Sequence, residues 1–436
     1  MNIEGALAYL DAHVNLETST SRRAAARRLD RMKDLVGLMG DPQTSYPVIH
    51  LTGTNGKGST ARMLTALLVE KGLSVGTYTS PHLERINERM AWNGDPIDNA
   101  SFVEVVEAVA RLEDLLDTPP THFEIITAAA YRWFADIAVD VAVVEVGLGG
   151  RWDATNVADG QVAAVTNVSL DHAEVIGPTL AGIAEEKAGI VKPGSVLVVG
   201  ETEPELVEIF AKAAFAASAE SVWLRGRDFD CTANNLAHGG RHIELVTPGA
   251  RYPGLFLPVH GAYQGENAAM ALGAAEAFFG APLDPDVVAD ALARVTLPGR
   301  LEVVSRDPLL ILDGAHNPAG AARSTAAIEE AFAGRGGRIL VVGMLVGRDP
   351  VEMLEAFDAG SARLVVTCPP PSPRALPAAE VAAAAMALGT DAEEAASVPE
   401  AVATALALAS PDELVVVTGS LYVVGAARAA LTGSDG

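Results

Sequence analysis

Residues 48–60, with the sequence VIHLTGTNGKGST, constrain the fold more than any other part of the chain. A short apolar run leads into a turn that contains three glycines, and Ser59 and Thr60 then open a helix-compatible segment. A strand that delivers a glycine-rich turn to a helix N-terminus surrounds one point with backbone N–H groups and with the positive end of the helix dipole. The pattern therefore predicts a phosphate-binding turn.

The turn is a variant of the common phosphate-binding loop. Lys57 supplies a mobile cation for the outer phosphates, and the Ser59 hydroxyl stands where such loops hold Mg²⁺. The spacing G-x-x-x-x-G-K-[ST] is not met, because Leu51 occupies the first glycine position and Gly58 separates the lysine from the serine. An ordinary glycine-rich turn is the alternative, which the preceding strand, the lysine and the paired hydroxyls disfavour.

The charge balance excludes several classes of partner. The 436 residues carry 31 Lys and Arg against 56 Asp and Glu, a formal net charge of −25. Such a surface repels nucleic acid and anionic membranes, so neither is expected as a partner. A nucleotide must then be held by local cations, Mg²⁺ and backbone amides. At roughly 150 residues per domain, the length predicts two or three domains.

Cysteine usage and hydropathy indicate the compartment. The two cysteines, Cys231 and Cys368, lie far apart and match no metal-ligand spacing, which favours a reducing setting. The opening MNIEGALAYLDAH has neither the basic nor the apolar region of a secretory signal, and no run approaches the ~18 apolar residues of a membrane span. We therefore expect a soluble, cytoplasmic protein.

Strand-like and helix-like segments alternate through the first two thirds of the chain. The apolar run 140–146 carries Glu145 near its end, a polar glycine-rich loop follows at 147–156, and a further strand is predicted at 162–167. This alternation predicts a mostly parallel sheet. Short β-like pieces with Gly and Pro between 221 and 260 suggest an antiparallel addition, and helical patterning returns at 263–279.

Residues 296–300 (TLPGR) are the best candidate for a linker, because Pro and Gly interrupt two regular stretches there. Five apolar strands separated by Ala-rich helices follow. We predict an α/β fold in which residues 1–297 form an ATP-binding domain, with the phosphate-binding turn in a mostly parallel sheet. Residues 298–436 are predicted to form a smaller Rossmann-like α/β domain.

Three groups of the first domain are candidates for one Mg²⁺ site: Ser59, Glu145 and His172. Each lies at the end of a predicted strand or at the start of the helix after the turn, and those positions share one edge of a parallel sheet. A carboxylate at the end of so apolar a strand is costly unless a cation or hydrogen bonds receive it. Mg²⁺ prefers oxygen ligands, so His172 is the least expected of the three, and a structural histidine is its alternative.

Six motifs, taken together and in order, resemble one family. They are HLTGTNGKGST, TSPHL at 79–83, VEVGLGGRWDATN at 144–156, SLDH at 169–172, EKAGI at 186–190 and DGAHNP at 313–318. This set resembles the folylpolyglutamate synthase/dihydrofolate synthase family of the Mur ligase superfamily.

The resemblance implies an ATP-dependent amide ligase. Mg-ATP would phosphorylate the carboxylate of a folate or of dihydropteroate, and the amino group of L-glutamate would attack the resulting acyl phosphate. Two magnesium ions are implied. Lys187 matches a lysine that is carbamylated in this family, and a carbamate would turn a cation into a ligand for the second Mg²⁺. From the sequence alone, Lys187 reads as a surface lysine.

The resemblance also implies roles for individual residues. The nucleotide-binding set is Gly53, Thr54, Asn55, Gly56, Lys57, Gly58, Ser59, Thr60, Asn267, Arg300 and Asp313. The catalytic set is Lys57, Lys187, Asp313, His316 and Ser420, and the substrate-binding set is Ser80, His82, Arg151 and Asp153. The metal set is Ser59, Glu145, His172 and carbamylated Lys187.

Several of these residues have plainer alternatives. Asn267 also reads as a polar residue at a helix start, Ser80 as a turn serine before a proline, and His82 as a surface histidine. Asp313 also reads as the cap of the helix that begins near Asn317.

Other functions stay open at this point. A peptidoglycan-type Mur ligase shares the ATP chemistry but usually carries a UDP-substrate domain, for which the roughly fifty residues before the turn are too few. A non-catalytic, nucleotide-dependent binding module is a further alternative. Whether the enzyme acts on folates alone or also on dihydropteroate is open, although the RWDATN loop resembles the bifunctional bacterial type. We expect a monomer.

Overall fold

The computed structural model describes residues 1–15, 29–171 and 176–433. Its strands are β1 (Val48–Thr52), β2 (Val75–Tyr78), β3 (Met90–Trp92), β4 (Asp95–Pro96), β5 (Val141–Glu145), β6 (Gly160–Val165), β7 (Val196–Val199), β8 (Ser221–Leu224), β9 (Asp230–Ala237), β10 (Gly240–Val246), β11 (Arg251–Leu257), β12 (Glu302–Arg306), β13 (Leu309–Leu312), β14 (Arg338–Val342), β15 (Leu364–Thr367), β16 (Ala392–Glu394) and β17 (Leu414–Thr418).

Helices alternate with these strands over most of the described residues. They are α1 (Ile3–Asp11), α2 (Asp30–Leu38), α3 (Lys57–Glu70), α4 (Asn99–Ala110), α5 (His122–Asp136), α6 (Leu180–Lys187), α7 (Pro204–Ala217), α8 (Tyr263–Phe279), α9 (Pro285–Ala293), α10 (Pro318–Ala331), α11 (Pro350–Ala356), α12 (Ala378–Ala387), α13 (Val398–Leu408) and α14 (Leu421–Thr432). Short 3₁₀ turns include Pro42–Thr44, Ile86–Arg89, Glu113–Leu115, Ala154–Val157, Ala188–Ile190 and Ala359–Ser361.

The largest sheet has the strand order β4-β3-β2-β5-β1-β6-β7-β8. In this sheet the strands β2, β5, β1, β6, β7 and β8 run parallel to one another, and β3 and β4 add an antiparallel edge beside β2. Asn93 and Gly94 form the hairpin turn between those two edge strands, and both have the positive φ that such a turn requires, at 52° and 92°. All five residues of the central strand β1 are buried, because helices cover both faces of a parallel sheet.

The strand register brings the predicted site residues to one edge. Leu51 pairs with Glu145 on β5, and Thr52 pairs with Val165 on β6. The turns that follow β1, β5 and β6 therefore emerge side by side at the carboxyl end of the sheet, which is where open α/β sheets bind ligands.

One expectation about the segment 221–260 is wrong in part. Strands β9, β10 and β11 do form a separate antiparallel sheet, in the order β11-β10-β9. Strand β8 does not join it but pairs in parallel with β7, with Leu197 opposite Val222. Helix α7 connects β7 to β8, so these elements form one more βαβ unit, and the short apolar sequence of β8 gave no sign of its partner.

The third sheet has the order β12-β13-β17-β14-β15-β16, and every neighbouring pair except β12 and β13 is parallel. The predicted α/β fold class, with a large mostly parallel sheet followed by a smaller one, is confirmed. We call the part with the first two sheets the first domain and the part with the third sheet the second domain. Among the described residues, no helix has the length and the apolar character needed to cross a membrane.

Candidate active site

A cleft between the two domains collects most of the predicted site residues. The turns after β1, β5, β6 and β13, the start of α8 and the segment before β12 all contribute to it. The residues that line it include Gly53, Thr54, Asn55, Gly56, Lys57, Gly58, Ser59, Ser80, Glu145, Asn167, Asp171, Lys187, Tyr263, Gln264, Asn267, Arg300, Asp313, His316 and Arg323.

The phosphate-binding turn is held in place by its neighbour β6. The backbone N–H of Asn55 donates to Asn167 Oδ1 at 3.0 Å, and its carbonyl accepts from Asn167 Nδ2 at 2.9 Å and from Thr166 Oγ1 at 2.7 Å. The residue that precedes α3, Gly56, is left-handed (φ 84°), and no side chain caps this helix. The first N–H groups of α3 therefore have no side-chain acceptor from the cap position and are directed toward the cleft.

Two of the glycines are required by space as well as by conformation. A Cβ atom at Gly53 (φ 149°) would overlap the Thr166 hydroxyl, and one at Gly56 would overlap Asn267 Oδ1. Asn267, near the start of α8, therefore packs directly over the turn, where it also donates to Gln264 Oε1 at 2.9 Å.

Lys57 folds back over the turn from which it comes. Its ammonium donates to the Gly53 carbonyl at 3.1 Å and to the Thr54 carbonyl at 3.4 Å. Among the described residues, no carboxylate is in hydrogen-bond contact with this ammonium, so its positive charge is available to an anion bound in the turn.

Glu145 is a buried carboxylate with few partners among the described residues. It is only 4% exposed, and its Oε2 accepts one long hydrogen bond, 3.3 Å, from the Ser80 N–H. Burial raises its pKa, against the opposing effects of Lys57, the Ser80 N–H and two arginines. A carboxylate this poorly satisfied is suited to a cation.

The same corner contains the Ser59 side chain, which is buried near the start of α3. A Cβ atom at Gly58 would lie 3.5 Å from Glu145 Oε2, so the start of α3 closely approaches this carboxylate. The donor set of a hydroxyl and a carboxylate fits Mg²⁺. In the ranges that the structure describes, no three His, Cys, Asp or Glu side chains form a metal cluster by themselves. His172, the third predicted ligand, lies outside the described residues.

Lys187 ends α6 inside the cleft and is 4% exposed, so its alternative as a surface lysine is wrong. Burial, together with the charge of Lys57, lowers its pKa from 10.5 to about 7. With that pKa, the Lys187 amine is largely neutral just above neutral pH. Gly150 allows the loop after β5 to pack on this helix end, since a Cβ atom there would be 2.8 Å from the Glu186 carbonyl oxygen.

Asp313, which follows β13, is 3% exposed and already satisfied within the chain. Its Oδ2 accepts from the Leu301 N–H at 3.0 Å, its Oδ1 accepts from the Ala315 N–H at 3.2 Å, and Ser324 also hydrogen-bonds to it. The alternative that Asp313 caps the next helix is wrong, because Asn317 is the cap of α10.

His316 and Arg300 complete the second-domain side. The His316 ring is 36% exposed, and its Nδ1 lies 2.9 Å from the Gly314 carbonyl oxygen, so Nδ1 carries the proton in the neutral ring and Nε2 is an acceptor. Burial lowers the His316 pKa below its usual value, which keeps the ring neutral. The Arg300 guanidinium packs against Gly314, where a Cβ atom would overlap it.

Two family models match the chain, in order and at the positions of this site. They are the Mur ligase middle domain over residues 51–275 and the Mur ligase, glutamate ligase domain over residues 299–421. The Mycobacterium tuberculosis protein named dihydrofolate synthase/folylpolyglutamate synthase is 40% identical over 436 aligned positions, which cover 92% of this chain and 89% of that protein. The chain belongs to the folylpolyglutamate synthase/dihydrofolate synthase family of Mur ligases. It is an ATP-dependent ligase of the glutamate-adding class.

Solved structures of the family agree with this assignment. The fold is similar to that of Mycobacterium tuberculosis folylpolyglutamate synthase complexed with ADP, with a TM-score of 0.92, 37% identity and 98% of each chain covered. It is also similar to E. coli FolC in complex with DHPP and ADP, with a TM-score of 0.86, 30% identity, and coverage of 100% of this chain and 99% of that one.

Three of the predicted site residues, Ser420, His82 and Thr60, are not among the residues that line the cleft. Ser420 is 2% exposed, and its hydroxyl accepts from the Val423 N–H at 3.2 Å as the cap of α14. His82 Nδ1 accepts from Arg89 Nε at 2.9 Å. Thr60 is fully buried in α3.

The two predicted substrate residues of the loop after β5, Arg151 and Asp153, make contacts within the chain. Asp153 is buried, and it accepts from the Leu148 N–H at 2.8 Å and the Thr155 N–H at 3.0 Å. The side chain therefore shapes the loop from within. Arg151 points to the surface and makes a 3.4 Å contact with the Glu185 carbonyl. Neither of these side chains is among those that line the cleft.

Sequence reasoning missed three polar residues that join the two domains at this site: Asp171, Asn317 and Arg348. Asp171 and Asn317 lie inside the SLDH and DGAHNP motifs, but roles were predicted for the neighbouring histidines, His172 and His316, and not for these two residues. Arg348 follows β14, and only its place after a strand that ends at the cleft would have indicated it.

Proposed function

We propose that this ligase joins L-glutamate to the carboxylate of a folate-type acceptor and that it accepts both dihydropteroate and folates. The double name of the Mycobacterium tuberculosis relative and the DHPP and ADP of the E. coli structure support this substrate class. The observation that carries the proposal is the cleft itself. There the phosphate-binding turn, Glu145 and Lys187 of the first domain face His316 and Arg300 of the second.

The first step is transfer of a phosphoryl group. The N–H groups of the turn and Lys57 hold the phosphates of ATP, and Arg300 adds positive charge from the other side of the cleft. An acceptor carboxylate oxygen attacks the γ-phosphorus, ADP leaves, and an acyl phosphate forms. Ser59 and Glu145 would hold Mg²⁺, with His172 as a further ligand, and the ion would neutralise charge on the phosphates.

The second step forms the amide. The neutral amino group of L-glutamate attacks the acyl carbon, and the tetrahedral intermediate then expels inorganic phosphate. The attacking nitrogen must lose a proton, and the unprotonated Nε2 of His316, which lies 3.9 Å from Asp171 Oδ2 at the cleft, would accept it. Asn267, which packs over the turn, is proposed to contact the adenine, and Ser80, whose N–H donates to Glu145, is proposed to contact the acceptor.

Lys187 is proposed to carry a carbamate. A neutral amine adds to CO₂ and releases one proton, and the lowered pKa of Lys187 supplies the neutral amine at physiological pH. The product carboxylate would give the second Mg²⁺ an oxygen ligand close to the turn.

Two domains serve this chemistry because an acyl phosphate is readily hydrolysed, and a cleft that closes excludes water. We place the boundary between the domains at 297/298, within the irregular segment that precedes β12. We propose that the enzyme works as a cytoplasmic monomer, and its two unpaired cysteines fit a reducing compartment.

The test is an assay of purified protein with Mg-ATP, L-glutamate and either dihydropteroate or tetrahydrofolate. We expect ADP release that depends on both glutamate and acceptor, and a product heavier by one glutamyl residue in each case. Activity with tetrahydrofolate alone would remove the dihydropteroate half of the proposal. ATP binding without glutamate-dependent turnover on either acceptor would overturn it.

A further inference from the structure

The second domain touches the phosphate-binding turn through a small polar network. Asn317 Nδ2 donates to Asn55 Oδ1 at 3.0 Å and to Asp171 Oδ2 at 3.1 Å. Arg348 Nη2 donates to the other carboxylate oxygen of Asp171 at 2.6 Å. We call these four residues, Asn55, Asp171, Asn317 and Arg348, the clasp. Two of them belong to the first domain and two to the second.

The orientation of the Asn317 amide follows from its second contact. Its Oδ1 accepts from the Gly320 N–H at 2.8 Å and so caps α10. A backbone N–H can only donate, so the oxygen must face the helix and the amide nitrogen must face the first domain. One side chain thus ends a helix of the second domain and holds the turn of the first. A serine or aspartate would cap the helix equally well but would lack the two N–H donors.

Asp171 receives both second-domain residues at a buried position. Its side chain is 7% exposed, while that of Arg348 is 21% exposed. A buried carboxylate is costly unless hydrogen bonds or a cation compensate it, and hydrogen bonds that involve a charged group are about twice as strong as those between neutral groups. Arg348 is a charged partner of Asp171 that comes from the opposite domain.

The clasp also has a rigid connection to the nucleotide side. The Asn55 backbone is bound on both its N–H and its carbonyl by Asn167, and its carbonyl also accepts from Thr166. A shift of Asn55 would therefore disturb the turn that is proposed to hold the phosphates. Neither Asn317 nor Arg348 is among the described residues that line the cleft.

We propose that Asn317 and Arg348 are positioning residues. They couple closure of the second domain onto the first to the shape that the phosphate-binding turn has when it holds a nucleotide. This inference rests on the proposed function, because it assumes that the turn holds the nucleotide. When the turn has the shape that binds phosphate, Asn55 and Asp171 present acceptors to the second domain. Because coupling of this kind is reciprocal, loss of the clasp weakens nucleotide binding although no clasp residue of the second domain lines the cleft.

Another contact between the domains offers a matched control. Arg241 on β10 is 1% exposed and pairs with Glu330 on α10 at 2.7 Å. This pair joins the same two domains but does not include the turn or Asp171. Glu330→Gln keeps a hydrogen-bond acceptor for Arg241 and removes only the charge of its partner.

The first experiment uses Asn317→Ser and Asn317→Asp, which both keep a helix cap. For Asn317→Ser we expect ADP affinity, measured by calorimetry, and kcat to fall by about tenfold. Asn317→Asp is expected to lose more, because it places a second carboxylate beside Asp171. The melting temperature should stay within about two degrees of wild type in the serine variant, since the cap is retained. Glu330→Gln should keep the ADP affinity and kcat of the wild type.

The second experiment is a double-mutant cycle with Asn317→Ser and Arg348→Gln, read by ADP affinity. If the two residues act as one clasp, the double variant loses little more than either single variant. Arg348→Lys should recover part of the loss. Unchanged ADP affinity and kcat in both single variants would overturn the proposal, and so would losses that simply multiply in the double variant.

The two proposals can fail separately. If the wild type binds ADP and the clasp variants weaken that binding, but no acceptor is glutamylated, the clasp stands and the proposed substrate class is wrong. If glutamylation occurs and the clasp variants bind ADP and turn over as the wild type does, the proposed function stands and the clasp is wrong.

Discussion

Two turns face each other across the cleft, residues 53–59 after β1 and residues 313–317 after β13. Each follows a fully buried strand at the carboxyl end of its sheet and leads into a helix. They differ in what happens at the helix start. No side chain caps α3 after the first turn, whereas Asn317 caps α10 after the second. The first turn uses the Asn55 N–H within the chain, but the N–H groups at the start of α3 have no side-chain cap and are proposed to bind the ligand, whereas in the second turn Asn317 caps the helix.

The carboxylates beside the two turns differ in the same way. Glu145, near the first turn, accepts a single long hydrogen bond from the backbone of the described residues, at 3.3 Å. Asp313, in the second turn, accepts from two backbone N–H groups and from Ser324. Both are almost fully buried. From this comparison we expect that Glu145 is satisfied by a bound cation and that Asp313 mainly holds its own loop in shape.

The largest effect is expected from Glu145→Gln. Removal of the charge takes away the proposed magnesium ligand, so ADP release that depends on glutamate should fall by about 10³-fold or more. The free energy of unfolding should not fall, because burial raises the pKa of this carboxyl and a neutral amide avoids that cost. Steady-state turnover and denaturant unfolding measure the two quantities. Lys57→Ala should give a similar loss of turnover, and near-normal turnover in either variant would contradict the account of the first turn.

Lys187→Ala should lower turnover by about 10²-fold, because the second magnesium ion loses its proposed ligand. Short carboxylic acids such as acetate should restore part of the activity to this variant, since they supply the missing carboxylate. Lys57→Ala serves as the control and should show no such rescue. Failure of any carboxylic acid to restore activity, together with an unmodified lysine in the intact mass of the wild type, would remove the carbamate from the mechanism.

The pH dependence of the wild type follows from the same lysine. Its pKa is lowered to about 7, so the amine is neutral above that pH and protonated below it. Only the neutral amine reacts with CO₂. Enzyme incubated without CO₂ at about pH 6 should therefore be less active than enzyme incubated with bicarbonate at about pH 8, when both are then assayed at the same pH. Equal activity after the two incubations would contradict the assignment.

Asp313→Asn should affect stability more than Glu145→Gln does. The amide has one acceptor oxygen in place of two and turns an NH₂ group toward a backbone donor, so the free energy of unfolding should fall by about 1–3 kcal/mol. Urea unfolding measures this change. If Asp313→Asn leaves stability unchanged but abolishes turnover, the distinction between the two turns is wrong, and Asp313 belongs with the ligand-binding groups.

The fold was largely predictable because its signals are local and repeated. The apolar run 140–146 and the segment 162–167 were predicted as strands, and they are present as β5 and β6. Strand β8 was assigned to the wrong sheet, because the partner of a four-residue strand depends on the crossover geometry and not on its own sequence. The short edge strand β16, with two exposed glutamates among its three residues, gave no hydrophobic signal.

The site was predictable only in part, for a related reason. A glycine-rich turn and a carboxylate at a strand end can be recognised from the residues next to them in the sequence. The turn and Glu145 were therefore identified, and they lie together in the cleft. Burial of Lys187 depends on how the loop after β5 packs against α6, which the sequence does not display. Contacts across the domains, such as that of Arg348 with Asp171, join residues far apart in the chain and require the structure.

The smallest effect is expected from Ser420→Ala. The hydroxyl caps α14 and does not line the cleft, so its loss should cost about 1 kcal/mol of stability and lower turnover by less than about tenfold. The resemblance to the family predicted a catalytic role for this serine. A loss of turnover near 10²-fold without a loss of stability would return Ser420 to the catalytic set, since about that much is lost when a single transition-state contact is removed.

The most direct test of the central claim follows an oxygen atom from the acceptor to phosphate. The acceptor is prepared with ¹⁸O in its reacting carboxylate and is turned over with Mg-ATP and L-glutamate. If the carboxylate is phosphorylated in the cleft and glutamate then displaces phosphate, the inorganic phosphate carries one ¹⁸O atom for each amide formed. Phosphate without the label, released at the rate of amide formation, would contradict the account.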